Sequence, residues 1–222
     1  MGDSQFRARQ YLSSDAPGTA DVTDLDRPLV YVVDDDAALR DSLRCLLESA
    51  GHCVATCASA KAFFAIYDPK QAGCLVLDIR MPGMSGLELQ DKLKRRGHAI
   101  PIVFITGYGD VPMAVNAVKK GALDFIEKPF NDQALLVLID NALAIDAKAR
   151  RAAARFETLT RRERKVMERI VAGKRNQDIA AELTISIKTV EAHRAAVMRK
   201  MGVDSLAALV KLVQSAGAPR RK

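Results

Sequence analysis

Carboxylates, a lysine and a threonine recur in this chain just after short apolar runs. Asp34-Asp35-Asp36 follows the first run and Asp78 the third, while Thr106-Gly107 follows the fourth and Lys128-Pro129 the fifth. If the runs are parallel strands of one sheet, their carboxyl ends share a rim and these groups meet on it. Carboxylates gathered in this way repel one another until a cation neutralises them. A hard divalent ion with oxygen ligands and room for water suits such a cluster, and Mg²⁺ fits that description. A lysine and a threonine hydroxyl facing the ion can bind the oxygens of an incoming phosphoryl group. An aspartate beside the ion is then a reasonable phosphoryl acceptor, because the metal neutralises charge as the phosphorus approaches.

The elements that must position these groups are legible as alternating patterns. The apolar runs are Leu29–Val33, Cys53–Ala55, Cys74–Leu77, Pro101–Ile105 and Asp124–Ile126. Apolar throughout rather than alternating, they suit strands buried on both faces of a parallel sheet. Between them lie helical stretches at 37–50, 59–67, 85–96, 111–120 and 131–149. This order predicts a doubly wound α/β domain, flavodoxin-like with five parallel strands, over residues 28–147. The polar opening, residues 1–27, reads as a mobile arm. In KARRAAARF charge replaces periodic apolar residues, which puts a linker at 148–158. Residues 159–222 carry only helical patterns and predict an all-α domain of four helices.

Composition divides at the same place. Residues 1–147 carry 15 Lys/Arg against 20 Asp/Glu, a net charge of −5, whereas residues 148–222 carry 19 against 7, a net of +12. A basic C-terminal half is the asymmetry of a nucleic-acid-binding unit, although a solvated basic face fits the charge alone equally well. Tryptophan is absent and aromatics are few, which disfavours a stacking surface for single strands. The four cysteines lie in the first half without a CxxC pair, which argues against zinc and for a reduced, cytoplasmic protein. Cys45 and Cys74 fall in apolar runs and are read as small core residues. Neither a membrane-length apolar stretch nor a signal-peptide core is present, so no membrane association is expected.

Within the basic half, Thr160-Arg161-Arg162-Glu163 is a capping box that opens a helix ending at Gly173. A second helix covers about Asn176–Leu183. Ser186 caps a third that runs to about Met201, and a fourth covers about Ser205–Ser215. Two short helices joined by a tight turn, the second rich in polar side chains, describe a helix-turn-helix. Val190, Arg194, Val197 and Met201 share one side of the third helix by spacing, so Arg194 faces either the core or the DNA backbone. His193 has no second ligand for a metal and is read as a packing or phosphate-contacting residue.

The blocks VVDDD, LVLDIRMPGMSG, VFITGYGD and DFIEKPF, in order and at suitable spacing, resemble the receivers of two-component response regulators, most closely the FixJ-type branch. The segments LTRRERKVM, AGKRNQDIAAEL and SIKTVEAHRAAVMRKMGV resemble the LuxR-type helix-turn-helix, and the two together follow the NarL/FixJ architecture. For the receiver, the resemblance implies that Asp78 is the phosphoacceptor. Asp35 then ligates Mg²⁺ directly, Asp34 does so largely through water, and the main-chain carbonyl of Arg80 supplies a further ligand. Lys128 pairs with the phosphoryl oxygens, and the Lys128–Pro129 bond is cis. Thr106 turns inward to the phosphate, Phe125 moves into the vacated space, and Tyr108 either gates the pocket or lies on its rim. Val115, Lys119 and Asp124 belong to a phosphorylation-induced homodimer face. For the second half, Lys188, Thr189, Glu191, Ala192 and Ala195 lie at or near base edges. Lys174, Arg175 and Asn176 lie near phosphates, and His193, Arg194 and Arg199 belong to the same DNA-binding surface. The implied partners are a sensor histidine kinase, double-stranded promoter DNA and RNA polymerase, with activation of transcription as the outcome.

Asp36 is read as a solvated helix N-terminal acid rather than a ligand, and Pro82, Gly83 and Gly86 as shaping the turn after the third strand. The usual apolar residue after the second helix of the motif is replaced by Thr184. Two other readings remain. A receiver acting through protein contacts without phosphate would use the same fold. An aspartate-nucleophile, Mg²⁺-dependent phosphatase would place its nucleophile after the first strand, where Asp34 and Asp36 form a DxD pattern. The blocks around Asp78 and the lack of a cap domain weigh against the phosphatase.

Overall fold

A computed structural model of the chain describes residues 27–107 and 111–215. The remainder of the opening arm, Tyr108 and residues 216–222 lie outside the described residues. The chain divides into two compact units between Ala147 and Lys148.

In the first unit, β1 (Leu29–Val33), β2 (Cys53–Cys57), β3 (Gly73–Asp78), β4 (Ile102–Thr106) and β5 (Asp124–Glu127) form one parallel sheet in the order β2-β1-β3-β4-β5. Alternate side chains of each strand feed opposite faces. Tyr31, Leu75, Leu77 and Phe104 pack with Phe63, Leu89, Leu93, Ala114 and Ala117. These come from α2 (Ala60–Ile66), α3 (Gly86–Arg95) and α4 (Val111–Lys119). Val30, Val32, Val76, Val103 and Ile105 pack on the other face with Leu43 and Leu47 of α1 (Ala37–Ser49) and Leu135 and Ile139 of α5 (Asp132–Glu157). Both faces are therefore covered, as the continuous apolar runs require.

Local chemistry starts the helices where the strands release the chain. Asp36 caps α1, its carboxylate accepting from the Ala38 and Leu39 amides at 2.9 and 3.3 Å. Ser85 and Glu88 form a reciprocal capping box on α3. Gly73 begins β3 because a Cβ there would lie 2.0 Å from the Leu29 carbonyl oxygen. Its amide donates to the buried Asp146 carboxylate at 2.9 Å, which ties α5 to the sheet.

Two expectations differ from the structure. Cys74 is buried, and burial pushes its thiol up to about 12, but Cys45 is exposed. Leu43 and Leu47 point inward from α1, and at 100° per residue Cys45 between them faces away. The helix expected over 131–149 runs on to Glu157, through most of the segment read as linker. Its alanines and arginines are strong helix formers, and Phe156 enters the core of the second unit.

That second unit contains α6 (Arg161–Val171), α7 (Asn176–Leu183), α8 (Ile187–Met201) and α9 (Leu206–Ser215). Val166, Ile170, Ile179, Val190, Val197, Met201 and Leu209 form its core. No helix among the described residues is long and apolar enough to cross a membrane.

Candidate functional site

The strand order reverses between β1 and β3, and the crevice at such a switch point is where doubly wound sheets hold ligands. Asp34 leaves β1 there and Asp78 ends β3. Lys128, one residue beyond β5, reaches both, with its Nζ 2.9 Å from Asp34 Oδ2 and 2.8 Å from Asp78 Oδ1. The Lys128 amide donates to the Thr106 carbonyl at 2.8 Å, and the Lys128–Pro129 bond is cis.

Both carboxylates are buried, Asp34 at 2% and Asp78 at 7% exposure, and each is further positioned by backbone. Asp34 Oδ1 accepts the Asp36 amide at 2.8 Å, and Asp78 Oδ2 accepts the Arg80 amide at 2.7 Å. One ammonium thus serves two carboxylates. Burial pushes the Asp78 carboxyl above its ordinary range, and the Asp34 charge adds to that, against the pull of Lys128. Burial works against the Lys128 charge, but hydrogen bonds and charges from Asp78 and Asp34 outweigh it and raise the ammonium.

Asp35 stands exposed at the same strand end, and Arg80 is exposed beyond β3. Among the described residues no three carboxylates, imidazoles or thiols form a closed metal cage. The donors nevertheless suit a hard cation. Two carboxylates against one ammonium make an acidic cluster of oxygen donors, with Asp35 exposed at the same strand end. Thr106 is fully buried and donates from Oγ1 to the Gly107 carbonyl at 3.3 Å. Phe125, paired with Phe104 across β4 and β5, is half-buried against the same core. Val115 is 39% exposed on α4 and Lys119 is exposed near its end, while half-buried Asp124 accepts the Phe125 amide at 2.8 Å.

Sequence reading missed Arg40, whose guanidinium donates to the Asp34 carbonyl at 2.7 Å. Its position in the first turn of α1 gave no signal, because an arginine there is ordinary. It also treated Gly86 as a turn former, although a Cβ on that residue would lie 2.2 Å from the Asp78 carbonyl oxygen.

In the second unit, Val190, Val197 and Met201 bury one side of α8. Lys188, Glu191, Ala192, Ala195 and Arg199 remain exposed, with Thr189 and His193 half-buried. Thr189 shares a 2.8 Å hydroxyl contact with the capping Ser186. Arg194 is half-buried and donates to Asn176 Oδ1 at 3.4 Å, which joins α8 to the start of α7. Lys174 and Arg175 are exposed just before α7, and Lys174 is paired with Glu182. Glu163 caps α6 and also accepts Lys200 at 2.7 Å, fixing α8 against α6.

The apolar residue expected after α7 is Ile185, which packs on the core, whereas Thr184 is a left-handed cap with φ 54°. A β-branched residue is strained there. Thr184→Asn is expected to stabilise the unit by about 1 kcal/mol, seen as a higher urea midpoint with an unchanged m-value.

A reversing parallel sheet with an acid-and-lysine rim, followed in the chain by a helix-turn-helix, defines the class: a receiver with a DNA-binding unit. Residues 30–140 match the response regulator receiver domain, and residues 157–213 match the bacterial regulatory proteins of the luxR family. The transcriptional regulatory protein FixJ of Bradyrhizobium diazoefficiens is 47% identical over 195 residues, covering 85% of this chain and 95% of that protein. The response regulator protein TodT of Pseudomonas putida is 42% identical over 193 residues, covering 84% of this chain and 85% of that one. Among solved structures, response regulator StyR superposes with a TM-score of 0.55 at 48% identity, covering 85% of this chain and 98% of its own. Full-length FixJ from B. japonicum gives 0.52 at 46% identity, covering 86% and 97%. The chain belongs to the response-regulator family of DNA-binding transcription regulators, with a receiver domain and a LuxR-type DNA-binding domain.

Proposed function

We propose that Asp78 accepts a phosphoryl group from a sensor histidine kinase and that the phosphorylated receiver dimerises to pair two DNA-binding units on promoter DNA. The observation that carries this reading is the Asp34–Lys128–Asp78 cluster at the strand switch point, where one ammonium is shared between two buried carboxylates. Asp78 Oδ1 attacks phosphorus as the bond from phosphorus to the kinase histidine breaks, and that nitrogen keeps the bonding pair. Receiver domains generally use Mg²⁺ for phosphorylation. Here Asp34, Asp35, Asp78 and the Arg80 carbonyl would hold it, and it would neutralise charge on the transferring oxygens. Lys128, released from Asp78, pairs with phosphoryl oxygen, and the Arg80 amide keeps the acceptor carboxylate oriented.

Phosphate on Asp78 draws the Thr106 hydroxyl from the weak Gly107 bond, and Phe125 follows into the space left. The change reaches α4 and β5, where Val115, Lys119 and Asp124 form the dimer face. On DNA, Lys188, Thr189, Glu191, Ala192 and Ala195 approach base edges, while Lys174, Arg175, Asn176, His193, Arg194 and Arg199 serve the phosphates and the frame. The protein activates transcription through RNA polymerase and acts as a phosphoryl carrier rather than a turnover enzyme. Unpaired thiols at all four cysteines support a reducing, cytoplasmic setting.

The test is phosphate incorporation from acetyl phosphate with Mg²⁺, comparing wild type with Asp78→Asn. Incorporation lost in the variant is the expected result. Unchanged incorporation moves the acceptor elsewhere, and none in wild type favours action without phosphate.

A further inference from the structure

We infer that Glu182 is an electrostatic brake on duplex binding: by holding Lys174, it keeps that cation off the DNA phosphates and weakens the grip of each single C-terminal unit. Glu182 lies in the last turn of α7, and its Oε1 pairs with Lys174 Nζ. Its Oε2 lies 3.4 Å from Arg169 Nε, and Arg169 also meets Glu168 at 3.3 Å. By contrast, Lys188 and Arg199 on α8 are exposed, and among the described residues neither forms an ion pair. Lys188 and Arg199 thus keep their charge open to a ligand, while Lys174, just before α7, is already neutralised.

Folding accounts for little of the Lys174–Glu182 contact. The Lys174 and Glu182 side chains are 39% and 38% exposed, and surface pairs of that kind contribute little to stability. Beside a polyanion the same carboxylate has a larger consequence. A phosphate approaching Lys174 must either displace Glu182 or accept a like charge within a few ångströms of itself, well inside the screening length. Hydrogen bonding from Lys174, opposed by slight burial and aided by the charges of Lys174 and Arg169, holds the Glu182 carboxyl below its ordinary range. It is therefore charged at neutral pH. A weak single-unit affinity makes occupancy depend on pairing two units, which is the step a receiver controls.

The inference rests on the reading that the start of α7 faces phosphates, and two substitutions separate the two ideas. Glu182→Gln keeps the shape and removes the charge. For the full chain on a non-target duplex, its affinity is expected to rise about three- to tenfold at about 50 mM salt, with a salt slope steeper by about 1. The thermal midpoint should not move, and Lys174→Ala should remove most of the gain. Unchanged or weakened binding in Glu182→Gln overturns the brake. If Lys174→Ala alone weakens binding in that case, the phosphate contact survives and only the inference fails. If Lys174→Ala is also silent, the contact fails with it.

Discussion

Lys128→Ala is expected to lower stability by about 1–3 kcal/mol near neutral pH and by little near pH 4. The substitution leaves Asp34 and Asp78 buried together without their common ammonium. Breaking a fully buried pair costs about 3–5 kcal/mol, but the Lys128 side chain is 29% exposed, so water already screens part of the interaction. The pH dependence follows from the direction of the Asp78 shift. Its folded carboxyl already lies above the ordinary value, and without Lys128 it rises further. A carboxyl raised in the folded state costs nothing below its unfolded value, and its full cost appears once pH has passed the folded value. Urea midpoints across that range would show the penalty fading with acid. Asp78→Asn provides the second check. With one carboxylate removed, Lys128→Ala should cost clearly less than in wild type, and a cycle showing no coupling would mean that the three groups do not act as a unit.

The ability to place this cluster from sequence has a physical origin. Strands buried on both faces read as uninterrupted apolar runs, so the polar residues just after each run mark the carboxyl rim. Asp34, Asp78, Thr106 and Lys128 were legible for that reason, although the hydrogen bonds among them were not. Cys45 was misplaced because an apolar neighbourhood says nothing about helical phase, whereas the spacing of Leu43 and Leu47 does. The helical course of 150–157 is hidden because its stabilising features are propensity and two buried residues, Ala152 and Phe156, rather than a long apolar stripe. Arg40 on the Asp34 carbonyl and Glu182 on Lys174 are pairings made by long side chains, which depend on reach and leave no periodic trace. Gly86 was visible only as a turn residue, since a missing Cβ can serve either a dihedral angle or a close approach, and only coordinates distinguish the two.

That distinction leads to the second large effect. Gly86→Ala is expected to reduce phosphate incorporation about 100-fold and to destabilise the receiver by about 2–4 kcal/mol. The added methyl carbon would lie 2.2 Å from the Asp78 carbonyl oxygen and 3.1 Å from both its carbonyl carbon and Leu77 Cγ. Two of those three atoms are backbone, so a rotamer change cannot relieve the contact. The start of α3 cannot easily withdraw either, because the Gly86 amide donates to the Ile79 carbonyl at 3.0 Å and Ser85 is locked by its capping box with Glu88. Strain therefore passes into the end of β3, which carries the acceptor, and a displacement of about 1 Å there is enough to spoil in-line attack. Gly83 provides the control. It is glycine for its φ of +79°, and a methyl added there would have nothing within 4 Å. Gly83→Ala should cost about 1 kcal/mol of backbone strain and leave incorporation within a few-fold of wild type. Equal losses in both variants would mean that the loop conformation, not the approach of α3 to Asp78, sets the acceptor geometry.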